Sequence, residues 1–578
     1  MADTPGVYGK EISSPRIHRC AAHFGCSPAE QFVNQLRMKP NLPKFLCALL
    51  AGMLHVLSCS GADSRPNIVV ILADDLGYSD IGCFGSEIST PNIDKLAKSG
   101  VALTQFYNQA RCCPTRAALL TGKYPHQVGI GDMIDPYAAA NRAAANSPAY
   151  QDHLSTNSPT MAEQLRAAGY HTMMCGKWHL GKRPEEWPAH RGFDRSFVQI
   201  DGAMNYFGGD SKDGPRARMA LDDQPYVPPH DGFYSTDAFT DHAIEFLEQS
   251  AKDANTKPFF LYMPYNASHW PLQAPEAEVE KYHGKYDAGW QPIREARLKK
   301  MIQLGIVPAG QIMAPMDRGN NKPWNELTYD QRKQWARRME VYAAQTEHLD
   351  RAIGRFLAEI KKLGVEQNTV VIFLSDNGGA AEDPNGGDKS APIGSRDSWR
   401  GYARPWATVS NTPWRRHKVT AYEGGISTPL IVHWPAGIDA AKEGKFVREP
   451  AHVIDLLPTF LALAGAQNPA VGTNRLEGEN ILPMLKGNPG NAHRTFCWEH
   501  EGFRAIRDGQ WKLVSTPKEE WELYDIDSDR TESNDLAASH PEIVRDLKAK
   551  YDRWAARCGV IDHALLQGRK ANSKTEGE

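Results

Sequence analysis

The run from Ile68 to Ala73 is unbroken, apolar and largely β-branched, and it ends in Asp74–Asp75. A strand with one wet face alternates apolar and polar residues, so a run without alternation is read as a strand buried on both faces. Thr369–Leu374, followed by Ser375-Asp376-Asn377-Gly378, repeats the design, and so does Pro258–Met263, which leads to Asn266, Ser268 and His269. Helical patterns lie between these runs, at Met161–Ala168, Thr240–Gln249 and Trp335–Leu363. Strands alternating with helices predict an α/β fold with a large mixed, mostly parallel sheet flanked by helices. Ligands of such sheets sit beyond the carboxyl ends of the strands, where the polar clusters of this chain fall.

A chain of 578 residues exceeds one small core, so a smaller second part is expected. The βα pattern breaks in a loop near residues 465–473. After it, Arg504–Arg507, Trp511–Val514 and Trp521–Asp525 read as short antiparallel strands, followed by a helix from Pro541 to Cys558. The expected division is 63–470 for the large part and 471–578 for a small C-terminal sheet-plus-helix part. Residues 201–234 and 281–323 show little periodicity and read as insertions.

The first 62 residues read differently. After a polar stretch, Met38 and Lys44 lead into an apolar run from Phe45 to Leu57, closed by small residues. This is the form of an export signal with Met38 as the true start, and it is too short for a transmembrane span. The protein is therefore expected to be exported, periplasmic or secreted, with cleavage after Ala62; lipoprotein anchoring through Cys59 is the alternative. Beyond that point Cys83, Cys112, Cys113, Cys175, Cys497 and Cys558 are sparse and unevenly spaced, which is no disulfide framework. A net charge of −3 without a basic run gives no electrostatic footprint for nucleic acid.

Asp74, Asp75, Asp376 and Asn377 offer only oxygen donors, the ligand type of hard cations such as Ca²⁺ or Mg²⁺. An Asp after a strand also serves as a helix cap or turn former, so each alone is ambiguous. Cys112-Cys113-Pro114-Thr115-Arg116, followed by Ala-Ala-Leu-Leu-Thr-Gly, reads as a loop entering a helix. Side chains at such a terminus meet free N–H groups and a positive dipole end. Lys177 and His179 alternate about Trp178 and would share a face if the segment is extended. His269 lies just past a strand end. Lys418 stands four residues before Tyr422-Glu423-Gly424-Gly425, while Arg415, Arg416 and His417 beside it read as a solvated basic face. Tyr206, Phe207, Trp270, Trp290, Trp324, Trp399 and Trp406 are candidates for stacking on a sugar or aryl ring, with core packing an equal explanation for each.

Together these segments resemble the type I sulfatases of the alkaline phosphatase superfamily, in particular the arylsulfatase-type branch. The motifs carrying the resemblance are Cys112–Gly122, Gly176–Gly181, the two Asp clusters, His269 and Lys418–Gly425, in the family's order. The Trp-Lys-Leu-Val and Glu-Leu-Tyr-Asp segments extend it to about residue 540. Thr115 departs from the commoner Ser but keeps the hydroxyl. Ser427 stands where many relatives have Arg, a change expected to alter the substrate rim.

The resemblance implies that a sulfatase-maturing enzyme, such as a formylglycine-generating enzyme, oxidises Cys112 to formylglycine (3-oxoalanine). It implies a divalent cation held by Asp74, Asp75, the modified Cys112, Asp376 and Asn377. Arg116, Lys177, His179, His269 and Lys418 complete the catalytic set. The hydrated aldehyde, deprotonated by Asp376, would attack sulfur, and His269, helped by Lys418, would protonate the departing oxygen. His179 would assist the elimination that restores the aldehyde. The substrate class is a sulfated small molecule or glycan. Two alternatives stay open: a phosphonate monoester or phosphodiester hydrolase of the same superfamily, and an anion- or glycan-binding protein with unmodified Cys112.

Overall fold

On β1 (Asn67–Ala73), Ile68, Val70 and Leu72 face one apolar core while Val69, Ile71 and Ala73 face another. Two-sided burial is the reason this run lacks polar alternation. The computed structural model describes residues 64–208, 218–252, 257–384, 386–467, 475–491 and 493–568. The anticipated export signal, with Met38, Cys59 and Ala62, lies outside the described residues.

Along the chain β1 is followed by β2 (Val101–Tyr107), β3 (His171–Lys177), β4 (Arg195–Gln199), β5 (Met219–Leu221), β6 (Gln224–Tyr226), β7 (Phe259–Pro264) and β8 (Thr369–Ser375). A two-stranded ribbon, β9 (Gly386–Gly387) with β10 (Ser398–Trp399), precedes β11 (Ser427–His433), β12 (Lys445–Val447) and β13 (Ala451–His452). Apart from the ribbon, these strands form one 11-stranded sheet in the order β12-β2-β11-β8-β1-β7-β3-β4-β5-β6, with β13 also on β2. The block β8-β1-β7-β3-β4 is wholly parallel, whereas β11 and β5 run antiparallel to their neighbours. Helices cover both faces. Ser235–Lys252 and the long Tyr329–Lys362 pack on one side, and Cys112–Thr121 and Leu456–Leu463 on the other.

The two stretches read as insertions contain regular structure. Residues 219–226 supply β5 and β6, which extend the sheet edge. Trp290–Leu304 is a helix whose buried residues are Trp290, Arg294, Arg297 and Met301. The spacing is helical, but two of the four buried positions are arginines, so no apolar stripe marks the helix. Arg297 is satisfied by Asp80 at 2.6 Å and Glu87 at 2.8 Å, and Arg294 donates to the Ala314 carbonyl at 2.8 Å.

A second, antiparallel sheet is ordered β14 (Thr495–His500), β15 (Phe503–Asp508), β16 (Trp511–Ser515) and β17 (Glu522–Asp525). The last three match the strands expected from sequence; β14 is an addition. One face, with Cys497, Ile506, Leu513 and Leu523, receives Leu547, Tyr551 and Trp554 of the helix Pro541–Cys558. The other face, with Phe496, Trp498 and Val514, packs on Tyr107 and Tyr422. All six cysteines of the described residues are free thiols, and all but Cys83 are fully buried. No described helix is long and apolar enough to cross a membrane.

Charge joins the second sheet to the Tyr422–Gly425 segment. Buried Lys512 lies 2.9 Å from Glu423 and 2.7 Å from Glu532, while Arg530 reaches Glu423 at 2.7 Å. Ser427, expected at a substrate rim, is instead fully buried here; its hydroxyl donates to Glu423 at 2.8 Å and accepts from Arg530 at 3.0 Å. Arg530 thus brings a guanidinium to the small residue at 427. Removing one partner from a buried ion network leaves uncompensated charge and typically costs about 3–5 kcal/mol. Lys512→Met is therefore expected to destabilise the protein by about that amount, read as a lower midpoint in urea unfolding.

Candidate active site

β8, β1, β7 and β3 are adjacent and parallel, so their carboxyl ends open at one edge. Asp74 and Asp75 leave β1, Asp376 and Asn377 leave β8, Lys177 ends β3, and His269 follows β7. Fold topology alone therefore collects residues separated by up to about three hundred positions. Asp75 takes a left-handed φ of 60°, which turns the chain as it leaves the sheet.

Cys112 opens the helix Cys112–Thr121, after Arg111 in extended conformation. The two cysteines face different surroundings. Cys112 lines a cavity of about 610 Å³, whereas Cys113 lies in the apolar core with its sulfur 3.4 Å from that of Met133. The Thr115 hydroxyl accepts from the Gln109 backbone at 2.9 Å and so ties down the entering loop. One turn into the helix, Arg116 donates to Asp376 Oδ2 through Nε and Nη2 at 3.2 and 2.8 Å, and to the Lys177 carbonyl at 2.8 Å.

Lys177 Nζ lies 2.6 Å from Asp74 Oδ2, and Lys418 Nζ lies 2.8 Å from Asp75 Oδ1. Lys177 and His179 do not share a face of one extended strand. β3 stops at Lys177, and His179 adopts φ 53°, so a turn brings its ring to the site. Its Nε2 pairs with Asp135 Oδ2 at 2.8 Å, leaving Nδ1 buried without a hydrogen bond. His269 donates from Nδ1 to the Trp270 carbonyl at 2.5 Å, which turns Nε2 toward Lys418 Nζ at 3.4 Å and Asp75 Oδ2 at 3.5 Å.

Burial and charge set the protonation states. Burial, with Asp376 nearby, raises the Asp74 carboxyl to about 8 despite Lys177 and Arg116. Burial would raise Asp376 as well, but Arg116 and Lys177 outweigh it and hold that carboxyl low. The Cys112 thiol is pushed up to about 12, chiefly by burial, so the unmodified side chain is a thiol at neutral pH rather than a nucleophilic thiolate. Burial, then the positive charge of Lys177 and Lys418, keeps His269 well below the ordinary histidine range.

The carboxylates and amide here are the oxygen donors that suit a hard cation. Asp74 and Asp75, with Cys112 and His269, bring potential ligand atoms within 4.8 Å of one another. Asn377 donates from Nδ2 to Asp75 Oδ1 at 2.7 Å, while its carbonyl oxygen Oδ1 is buried without a hydrogen bond. An orphaned oxygen among buried carboxylates is a donor set waiting for a cation. Asp376 Oδ2 is engaged by Arg116, and its Oδ1 accepts from the Asp75 backbone at 3.2 Å.

The cavity also shows residues that the sequence reading did not select: Arg111, Asp135, Tyr137, Lys182, Arg218 and Glu382. Glu382 touches Arg111 at 2.8 Å and Lys418 at 3.1 Å, and accepts from Trp270 Nε1 at 2.7 Å. Arg111 had a usable signal, standing directly before Cys112; the rest lie in loops or, for Tyr137, in a one-turn 3-10 helix. Of the aromatic candidates Trp270 and Trp399 line the cavity. Tyr206 is buried and holds the Asn266 and His269 carbonyls through its hydroxyl, while Trp290, Trp324 and Trp406 pack on one another edge to face. The basic cluster beside Lys418 is no solvated face: Arg415 pairs with Glu522 at 2.9 Å and His417 is buried.

Cations and carboxylates packed around a cysteine at the ends of parallel strands define a hydrolytic site for an anionic ester. The sulfatase family model matches residues 66–466, and a model described as N-sulphoglucosamine sulphohydrolase, C-terminal, matches residues 416–556. An uncharacterized sulfatase of Schizosaccharomyces pombe is 37% identical over 86% of this chain and 94% of its own. The arylsulfatase of Klebsiella aerogenes is 32% identical over 76% of this chain and 93% of its own. Among solved structures, Ps i-CgsB in complex with k-i-k-neocarrahexaose aligns with a TM-score of 0.63 at 27% identity, covering 85% of this chain and 93% of that one. The chain belongs to the sulfatase family, as an arylsulfatase-like hydrolase of sulfate esters.

Proposed function

We propose that the enzyme cleaves the sulfate ester of an aryl or carbohydrate ring by means of a formylglycine derived from Cys112 and a Ca²⁺ ion. The observation that carries this reading is the different placement of the two cysteines, with Cys112, and not Cys113, lining the cavity and its cations. Asp74, Asp75, Asp376 and Asn377 would hold the cation, residue 112 adding a further oxygen; Mg²⁺ is the alternative ion. When present, the hydrated aldehyde would supply the nucleophile and the cation positive charge. Lys177, Lys418 and Arg116 offset the negative sulfate, the main obstacle to attack at sulfur.

The two histidines divide the proton traffic. Neutral His269 presents Nε2 to the ammonium of Lys418, and an arriving sulfate favours the charged imidazolium. The pair can thus pass a proton to the departing ester oxygen. His179, oriented through Nε2 by Asp135, keeps Nδ1 free as a base for the step that releases sulfate.

Beyond the reacting end, each cavity cation has a carboxylate partner: Arg111 with Glu382, Lys182 with Asp135 at 3.2 Å, and Arg218 with Asp201 at 2.6 Å. Such a balanced rim, with Trp270 and Trp399 in the wall, favours one sulfate on an otherwise neutral ring over a polyanion. Glu382→Gln releases Arg111 and is expected to shift kcat/KM toward substrates bearing a second anionic group. An unchanged ratio of mono- to disulfated substrates would refute this rim reading.

Mass spectrometry of the Cys112 peptide tests the modification directly: an aldehyde is expected in place of the thiol. The same preparation assayed on sulfate and phosphate esters separates a sulfatase from a phosphonate or phosphodiester hydrolase, and an inert protein with intact Cys112 would indicate a binding protein. Asp75→Ala and Asp376→Ala are expected to lose bound Ca²⁺ and activity together, measured by elemental analysis. Retained metal in both would contradict the ligand assignment. The proposal includes export to the periplasm or outside the cell through residues 1–62, and the division at about residue 470.

A further inference from the structure

Asp132, His500 and Glu501 form a second cluster of potential ligands, distinct from the catalytic carboxylates. His500 ends β14, and Glu501 opens the turn to β15 in the left-handed region with φ 50°. Asp132 lies in the loop that continues through Met133 to Asp135. One ring nitrogen and one oxygen from each carboxylate lie within 4.8 Å of one another. His500 is only 2% exposed, and neither of its ring nitrogens makes a hydrogen bond. Nε2 stands 3.5 Å from Glu501 Oε1, close enough for attraction but without hydrogen-bond geometry.

A buried imidazole with neither nitrogen hydrogen-bonded is uncommon, and here it stands beside two carboxylates. Asp132 is held in orientation by the Met133 backbone N–H at 2.7 Å and by Asn141 Nδ2 at 3.1 Å, the kind of support that fixes metal ligands. We propose that Asp132, His500 and Glu501 bind a divalent transition metal, Zn²⁺ by preference. One imidazole and two carboxylates suit its borderline character and leave a fourth position for water. Zinc bonds of about 2.0–2.2 Å draw tetrahedral ligand atoms to roughly 3.4 Å apart, so closure needs only small side-chain movements.

The site has a consequence for the catalytic cavity. Met133, Asp135, Pro136 and Tyr137 line that cavity, and Asp135 orients His179. A metal bridging Asp132 to the β14–β15 turn ties this loop to the second sheet and restrains Asp135 from behind.

The test uses the full-length protein in excess Ca²⁺, added to fill the proposed Asp74–Asp75–Asp376–Asn377 site, with Zn²⁺ as the probe. Equilibrium dialysis with elemental analysis is expected to give one Zn²⁺ per chain for the unaltered protein and for Asp376→Asn. His500→Ala is expected to lose that equivalent, and Glu501→Gln to weaken it at least about tenfold. Glu501 is 31% exposed, so its variant keeps the test decisive if His500→Ala fails to fold. Zinc should also raise the melting temperature of the unaltered protein and not that of Glu501→Gln. The proposal falls if the unaltered protein takes up no Zn²⁺, if Glu501→Gln binds as tightly as the parent, or if Asp376→Asn is the variant that loses the ion.

Discussion

Cys112→Ala is expected to lower turnover by at least about 10⁴-fold with a native fold: on the proposed mechanism it removes the source of the nucleophile while the surrounding side chains stay. Cys113→Ala should retain most of its activity. Its sulfur packs against Met133 in the core, so the change there is a small loss of buried volume, on the order of 1 kcal/mol of stability. The measurements are steady-state rates on an aryl sulfate beside urea midpoints. Comparable losses of activity in the two variants would refute the assignment of the nucleophile, since only Cys112 of the two lines the cavity.

The second large effect separates His269 from His179. If His269 delivers the proton to the leaving oxygen, His269→Ala should cost about 10²–10⁴ in rate for a sugar sulfate, whose alkoxide leaves poorly, and much less for the sulfate of an acidic phenol. A plot of rate against leaving-group pKa should steepen. If His179 acts after that group has gone, His179→Ala should bring good and poor substrates to a common slow rate. Asp135→Asn should follow His179→Ala in this pattern, since Asp135 reaches only the His179 side of the site. A His179 variant whose rates still track leaving-group acidity would assign that histidine to bond cleavage instead.

The legible parts of the fold share one property: their burial is apolar. β1, β7 and β8 are continuous apolar runs because both faces are covered, and the Asp and Asn residues at their ends fell where the topology needs them. The helix Trp290–Leu304 was hidden because Arg294 and Arg297 occupy its inner face, and a charge read without its partner counts as surface. The same blindness affected Arg415 and Ser427, whose partners lie about a hundred residues further on. At the site, residues in motifs were readable, while Asp135 and Glu382 became visible only through the side chains they hold, His179 and Lys418. Local sequence does not encode such long-range partnerships.

The clamp on the Lys418–Gly425 segment has a consequence in time. Arg415 and Tyr422 are held by Glu522, Glu423 by Lys512 and Arg530, and the Glu423 backbone by Glu532. During synthesis these anchors leave the ribosome roughly a hundred residues after the loop they secure. Synthesis therefore delivers β1, β3, β7, β8 and the carboxylates they carry before the residues that anchor the Lys418 loop. The support of the Lys418 loop is thus the last-made part of the site, supplied by the end of the chain farthest from the strand that begins it.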